Sequence, residues 1–486
     1  MKPSLTTLSA ALALALLAGC ASDGGLKPQA RINSASTLRA DKGVAGVAVS
    51  PAAWPANDWY ARYGDAQLDT LIKEAMAGNP SLKIADARVR QAAGFEAMAN
   101  ANLSPQLTGG ARTNRQLFSA NSNVPKPLAG SWAWSNDASL NLSYELDFWG
   151  KNQAGLDAAI GRQHAVEVEA QAARLMLAVA ITQTYLRLSQ TYAQLDLLEA
   201  IVSQREHVLQ LTTQRVQAHI DSTADLKQAE TAVPLAKGEV AATREAISLL
   251  RYQLAALLGA GPDRGEQFQR PTMQKVAVPA IPSMLPSELI ARRPDVVAQR
   301  WRVEAASQDI KVAKTQFLPS FNLGALIGLQ SLGFDRLLSA GSRVTSASGA
   351  LSLPIFDGGR LRGNLAVRDA EYDLAVEQYN MTLVDAVRDV VSQLASIKVL
   401  AERSALQAQA LQSAQQAYDL SLQRYKAGVG NYLQVLSTQV QVLTLSRASI
   451  DLDARAFELD IGLVRALGGG YQAGSDLSST TTISAR

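Results

Sequence analysis

Few side chains in this sequence stand where they could do chemistry. The chain holds one cysteine, Cys20, and three histidines, His164, His207 and His219. A single cysteine excludes an intramolecular disulfide and any multi-cysteine zinc site. The histidines sit in helix-forming stretches at spacings that make no ligand set. No Gly-rich loop ends in Lys, so no phosphate cradle is written, and no Ser-His-Asp set is credible. The sequence therefore does not point to an enzyme, a metal site or a cofactor. It leaves Cys20 and a few acidic and aromatic residues beside helix breaks.

Cys20 closes the segment MKPSLTTLSAALALALLAGC. Lys2 supplies a basic start, and Ala10 to Ala18 is an apolar run too short to span a bilayer. The ending Leu17-Ala18-Gly19-Cys20 resembles a bacterial lipobox, which implies that Cys20 is acylated and becomes the first mature residue. Ala21 follows it. An Asp there would mark inner-membrane retention in enterobacteria, so outer-membrane sorting is expected. No other segment offers the ~18 consecutive apolar residues of a transmembrane helix. If the mature chain spans a membrane, it must do so as a closed β-barrel.

Composition narrows the partners. Of 486 residues, 47% are apolar, 18% charged and 6% aromatic, which excludes a disordered chain. Lys and Arg number 46 against 43 Asp and Glu, and the charges are interspersed. That balance disfavours nucleic acid.

The chain is written twice. Shifted by 214 positions, Pro80, Arg88, Pro105 and Gly110 meet Pro294, Arg302, Pro319 and Gly324. From about residue 142 the shift is 209: Gly150 and Lys151 meet Gly359 and Arg360, while Gln214 and Arg215 meet Gln423 and Arg424. The offset changes inside a loop-like run, Asn121 to Gly130, where an insertion is tolerated. The expected layout is a signal peptide over 1–19 and an N-terminal anchor segment over 20–65. Repeat 1 follows over 66–260, with a hairpin at about 106–147; a Pro-rich linker covers 261–293. Repeat 2 covers 294–468, with a hairpin at about 320–356, and a disordered tail covers 469–486.

Each repeat reads helix, hairpin, very long helix, short break, helix. Residues 66–102 are Ala-rich and helix-forming, ending before Ser104-Pro105. Leu140, Leu142, Tyr144 and Leu146 then alternate with Asn141, Ser143 and Glu145. This period suits a half-buried sheet on a soluble core, and equally a barrel with lipid outside and water inside. Trp132 and Trp134 suit a lipid interface. From about 153 to 218 no proline interrupts, and ~65 residues of helix would reach ~100 Å. Ile181, Leu188, Leu195, Val202, Leu209 and Val216 recur every seven residues, as do Val390, Ile397, Ser404, Leu411, Tyr418 and Tyr425. Such a period signals helices packed as coiled coils. The breaks fall at His219 to Ser222 and Gly428 to Asn431. The returning helices end at Gly259 and Gly468, each a plausible stop, and Pro234 is expected to kink the first of them.

Two hairpins supply four strands per chain, below the about eight with which membrane barrels begin. Two chains would close an interior largely filled by side chains, whereas three would bring about twelve strands and a lumen.

Met284-Leu-Pro-Ser-Glu-Leu-Ile-Ala-Arg-Arg-Pro-Asp-Val296 and Phe317-Leu-Pro-Ser320 resemble the signature of outer-membrane factors of the TolC family. The lipoprotein branch serving resistance-nodulation-division (RND) efflux systems, the OprM type, is the most similar. Asp58 to Asp69, Glu145-Leu-Asp-Phe-Trp-Gly-Lys151 and Leu353-Pro-Ile-Phe-Asp-Gly-Gly-Arg360 also look like that branch. Gly358-Gly359 then falls at a strand-to-helix turn. The resemblance covers about residues 50–470 and makes the 20–65 segment an equatorial segment as well. It implies a mainly α fold with membrane β, trimerising into a twelve-stranded β-barrel continuous with a twelve-helix α-barrel, and no catalysis. It further implies a passive exit duct working with a periplasmic adaptor (membrane fusion) protein and an inner-membrane RND transporter. A type I secretion channel and a non-conducting structural lipoprotein are the alternatives. By resemblance the helix breaks form the periplasmic mouth, with Asp225, Tyr425 and Gln434 at gate positions. Ile220, Asp221, Ser222, Gly428, Val429, Gly430 and Asn431 would be adaptor-contact tips. Gln434 and Ser437 stand where the family carries acids, and Gly430 replaces a gate arginine, so a weaker acidic ring is expected. Asp225 reads equally as a helix N-terminal acid, and Tyr425 reads first as a heptad core position.

Overall fold

The computed structural model describes residues 23–34, 38, 54–275 and 291–472. Cys20, residues Met284 to Ile290 of the signature, and all but the first four residues of the 469–486 tail lie outside them. The chain forms two compact units.

The first unit holds, among the described residues, 23–32, 88–166 and 299–379. Its sheet has four antiparallel strands in sequence order: β1 (Gln106–Leu117), β2 (Trp132–Leu146), β3 (Ser320–Leu332) and β4 (Arg343–Ser352). The central pairing joins the two repeats, with Leu140 opposite Ile327 and Leu142 opposite Ala325. Because strand side chains alternate, this register collects Leu107, Leu140, Leu142, Phe321, Leu323, Ile327 and Leu351 on one face. Thr108, Arg112, Asp137, Asn141, Asn322 and Ser346 fall on the other. The apolar face stays open: Leu107, Ile327 and Leu351 are each more than 60% exposed. Beside the sheet, Ile310, Ala313, Phe317, Leu361 and Leu365 form a small core that takes in Leu26. The N-terminal strap is tied down further where Asp373 accepts the amides of Gln29 and Ala30, at 2.9 and 2.8 Å from one carboxylate oxygen.

The second unit contains residues 33–34, 38, 54–87, 167–275, 291–298 and 380–472 among those described. Helix α1 (Ala66–Gly78) opens on Asp65, whose carboxylate caps the amides of Gln67 and Leu68 and accepts from Tyr185 Oη at 2.9 Å. The single helix expected over 66–102 is in fact two, α1 and α2 (Pro80–Ala101). Pro80 forces the preceding residue out of helical geometry. Asn79 takes an extended backbone, and its side chain accepts the Ser81 amide and donates to the Leu257 carbonyl.

The long helices are α3 (Lys151–Gln217) and α6 (Arg360–Lys426), each followed by a returning helix, α4 (Thr223–Leu258) and α7 (Tyr432–Ala466). Of the heptad positions, Ile181, Leu188, Val390, Tyr418 and Tyr425 are 2% exposed or less, and the remaining seven are half-buried. Gly259 stops α4 with a left-handed φ of 78°, and α4 continues through Pro234 as one helix. Of the linker's described part, Pro262–Gly265 forms one helical turn with proline at its first position. Helix α5 (Pro294–Thr315) begins at the signature. There Arg293 is 9% exposed, pairs with Asp295 and Asp389, and donates to the Ala466 carbonyl. Arg293 thus ties the start of α5 to α6 and α7.

Candidate functional site

The site lies in the second unit, where the two helix breaks meet. The break after α3 is a Schellman-type turn. The Ile220 amide reaches back to the Arg215 carbonyl at 2.8 Å and the His219 amide to that of Val216 at 3.0 Å. His219 carries the left-handed residue, φ 58°. The break after α6 repeats this with Val429 on Arg424 and Gly428 on Tyr425, Gly428 at φ 80°. The two tips are the same turn 209 residues apart, so Asp221 answers to Gly430, Ser222 to Asn431 and Asp225 to Gln434.

The side chains break that symmetry. Arg215 Nε and Nη2 each donate to a carboxylate oxygen of Asp221, both at 2.9 Å. Arg215 Nη1 donates to the Tyr425 carbonyl at 2.9 Å, and the guanidinium lies 4.4 Å from the centre of the Tyr425 ring. Tyr425 Oη donates to Asp221 Oδ2 at 2.5 Å and lies 2.9 Å from Thr212 Oγ1. Both members of the ion pair are under 10% exposed. The paired guanidinium holds the Asp221 carboxyl below the usual carboxylate range, despite desolvation. Burial, reinforced by the neighbouring carboxylate, pushes the Tyr425 hydroxyl up to about 12. At neutral pH the group is therefore carboxylate, guanidinium and neutral phenol, with each strong donor matched. Beneath it, Val208, Ala229, Tyr418, Tyr432 and Val435 pack with Tyr425.

The residues singled out from the sequence divide among three places. Tyr425 and Asp221 enter this clasp. Asp225 does not: its carboxylate accepts the Ser222 amide at 3.1 Å and the Ser222 hydroxyl at 2.6 Å, closing a capping box at the start of α4. Gln434 is exposed one turn into α7, where its amide is capped by Asn431 at 2.9 Å. Ile220 and Val429 project from the two tips at 59% and 70% exposure. Sequence reasoning missed Arg215 and Thr212. A faint signal existed: Arg215 and Arg424 are equivalent in the repeat, yet only the first has an acid six residues on. Among the described residues no cluster of histidine, cysteine or acidic side chains could hold a metal ion.

Among the described residues the chain is mainly helical, with a four-stranded antiparallel sheet, two long helices and paired tips. The profile of the outer membrane efflux protein family matches residues 71–260 and 285–469, and the chain belongs to that family. It is 39% identical over 369 residues to the fusaric acid resistance protein FusA of Burkholderia cepacia, covering 75% of this chain and 69% of that one. It is 30% identical over 433 residues to the multidrug resistance outer membrane protein MdtP of Escherichia coli K12, covering 87% and 88%. The outer membrane protein VceC of Vibrio cholerae superposes with a TM-score of 0.81 at 36% identity, over 86% of this chain and all of that one. A membrane protein from Pseudomonas aeruginosa gives 0.80 at 30% identity, over 93% and 99%. The chain is thus an outer-membrane efflux protein, a transport component. Among the described residues no helix is long and apolar enough to cross a membrane.

Proposed function

We propose that three copies of this chain form the exit duct of a tripartite efflux pump of the RND type, passing drugs or other small compounds outward. One observation carries the reading: the sheet is mainly apolar on one face and mainly polar on the other, and among the described residues it ends on β1 and β4, neither paired on its outer side. A membrane tolerates no open sheet edge, because unpaired backbone groups find no water there. Joining β4 of one copy to β1 of the next removes every edge, and three copies give a lumen lined by the polar face. A periplasmic adaptor would seat on the tips around Ile220, Asp221, Ser222 and Gly428 to Asn431. The clasp of Arg215, Asp221 and Tyr425 would hold the mouth closed, with Asp225 and Gln434 beside it. Acylated Cys20 would anchor the chain in the outer membrane. Relatives named for fusaric acid and multidrug resistance support a small-molecule cargo over a protein one. The test is purified protein in planar bilayers. Trimers that conduct, more so once the clasp is cut, are expected; trimers silent even with the clasp removed would refute the duct.

A further inference from the structure

The apolar face of the sheet is not a uniform band. A groove of about 730 Å³ crosses it. Its floor is made of small residues, Gly109, Ala111 and Ala138, and its walls of Leu140, Ile327 and Leu329. A side chain at position 109 would already crowd Leu140, whose Cδ2 lies 3.3 Å from where a Cβ would stand. At one rim stands Arg343, the first residue of β4, exposed and without a carboxylate partner among the described residues.

Charge on the two faces is sharply unequal. The strand carboxylates Asp137 and Glu145 fall on the polar face, while the apolar face carries two charges, both arginines: Arg343 and Arg115. Arg115 rests against the rings of Trp132 and Trp134, 5.5 and 5.8 Å from their centres, and Phe334 packs on Trp134. Both arginines sit toward the hairpin-loop ends of their strands, opposite the ends that lead into the helices. An unpaired guanidinium on a lipid-facing surface is costly unless it meets an anion at headgroup level. An apolar channel leading to it fits an acyl chain.

We infer that this groove binds a phosphorylated glycolipid of the outer leaflet, its acyl chain along Gly109, Ala111 and Ala138 and its phosphate on Arg343. The inference rests on the duct reading, which points the apolar face at lipid and the hairpin loops outward. Indole rings beside Arg115 offer the flat surface on which sugar rings stack. Neither feature would serve a neutral acyl chain alone.

The test uses the full-length protein in phospholipid nanodiscs doped with bis-phosphorylated lipid A or its dephosphorylated form, with retained lipid counted by native mass spectrometry. The wild-type protein is expected to retain the phosphorylated form preferentially. Arg343→Gln should lower that retention by about fivefold, the effect of one basic residue at an anionic surface. Ala111→Phe, which fills the groove, should lower retention of both forms. Equal retention of the two lipids by wild type would overturn the site, as would a folded Arg343→Gln that retains as much as wild type. If the variant does not fold, the wild-type comparison decides alone. Conductance of the same purified protein in planar bilayers separates the readings: conducting trimers without a phosphate preference sink only the lipid site, and silent trimers sink the duct.

Discussion

Arg215 and Asp221 are six residues apart, one on the last turn of α3 and the other at its tip, and they face each other through two parallel 2.9 Å hydrogen bonds. The pair alone would only stiffen its own turn. Tyr425 makes it a link between tips, because its ring lies under the guanidinium and its hydroxyl on the carboxylate. Removing that hydroxyl should therefore loosen the junction while sparing both turns. Tyr425→Phe is expected to cost about 1.5–3 kcal/mol, as for a hydrogen bond to a charged group, and to raise closed-state conductance. Asp221→Asn should do the same, and the double variant should fall short of the sum, since both act on one bond. Additive conductance changes in planar bilayers would show that the two act separately.

Acid should open the same junction. Asp221 has its folded pKa held below the usual carboxylate value, so the folded state binds fewer protons than the open one. Its contribution is whole above the ordinary carboxylate range and is lost as pH falls through the depressed folded value. Tyr425 behaves oppositely: its hydroxyl is raised to about 12, so its contribution is whole below the ordinary tyrosine value and fades as pH climbs toward 12. Closed-state conductance measured against pH should be flat through neutrality and rise at the acid end. Asp221→Asn should abolish the acid limb, and persistence of that limb would assign it to other carboxylates.

Asp225 offers a contrast, because its bonds stay within its own helix start. Asp225→Ala should cost about 1 kcal/mol, as for loss of a helix cap. Faster amide exchange over Thr223 to Leu226 would report that fraying. If Asp225 also narrows the mouth, closed-state conductance rises as well. Faster exchange with unchanged conductance would leave it a structural cap.

The architecture was legible in the sequence because its signals are periodic. Seven-residue spacing picked out Ile181, Leu188 and Tyr418 as packed positions, and alternation placed Leu140 and Leu142 on one strand face. Doubling of the chain made each reading checkable against its copy. The clasp was not legible, for two reasons. Asp221 reads as a loop residue, and only the left-handed turn at His219 swings it back onto Arg215. The partner of Tyr425 comes from another tip 204 positions away, a distance no local pattern spans. The Asn79-Pro80 break was missed because alanines on both sides outweighed a single proline.

An acyl anchor at Cys20, as proposed, would be separable from membrane insertion. Leu26 is held in the core around Phe317 and Leu365, and Asp373 grips the amides of Gln29 and Ala30. The segment just after Cys20 is thus fixed to the first unit by protein contacts, independent of any acyl chain. Acyl chains contribute through burial of about 0.8 kcal/mol per CH₂, which adds attachment but supplies none of the strand pairing that a barrel needs. Cys20→Ser should abolish acyl labelling while trimers still insert and conduct. Asp373→Ala should instead free the strap, seen as earlier proteolysis near Gln29, with labelling intact. Undiminished acyl labelling of Cys20→Ser would remove the anchor from this residue, and loss of insertion in that variant would show that the lipid guides assembly.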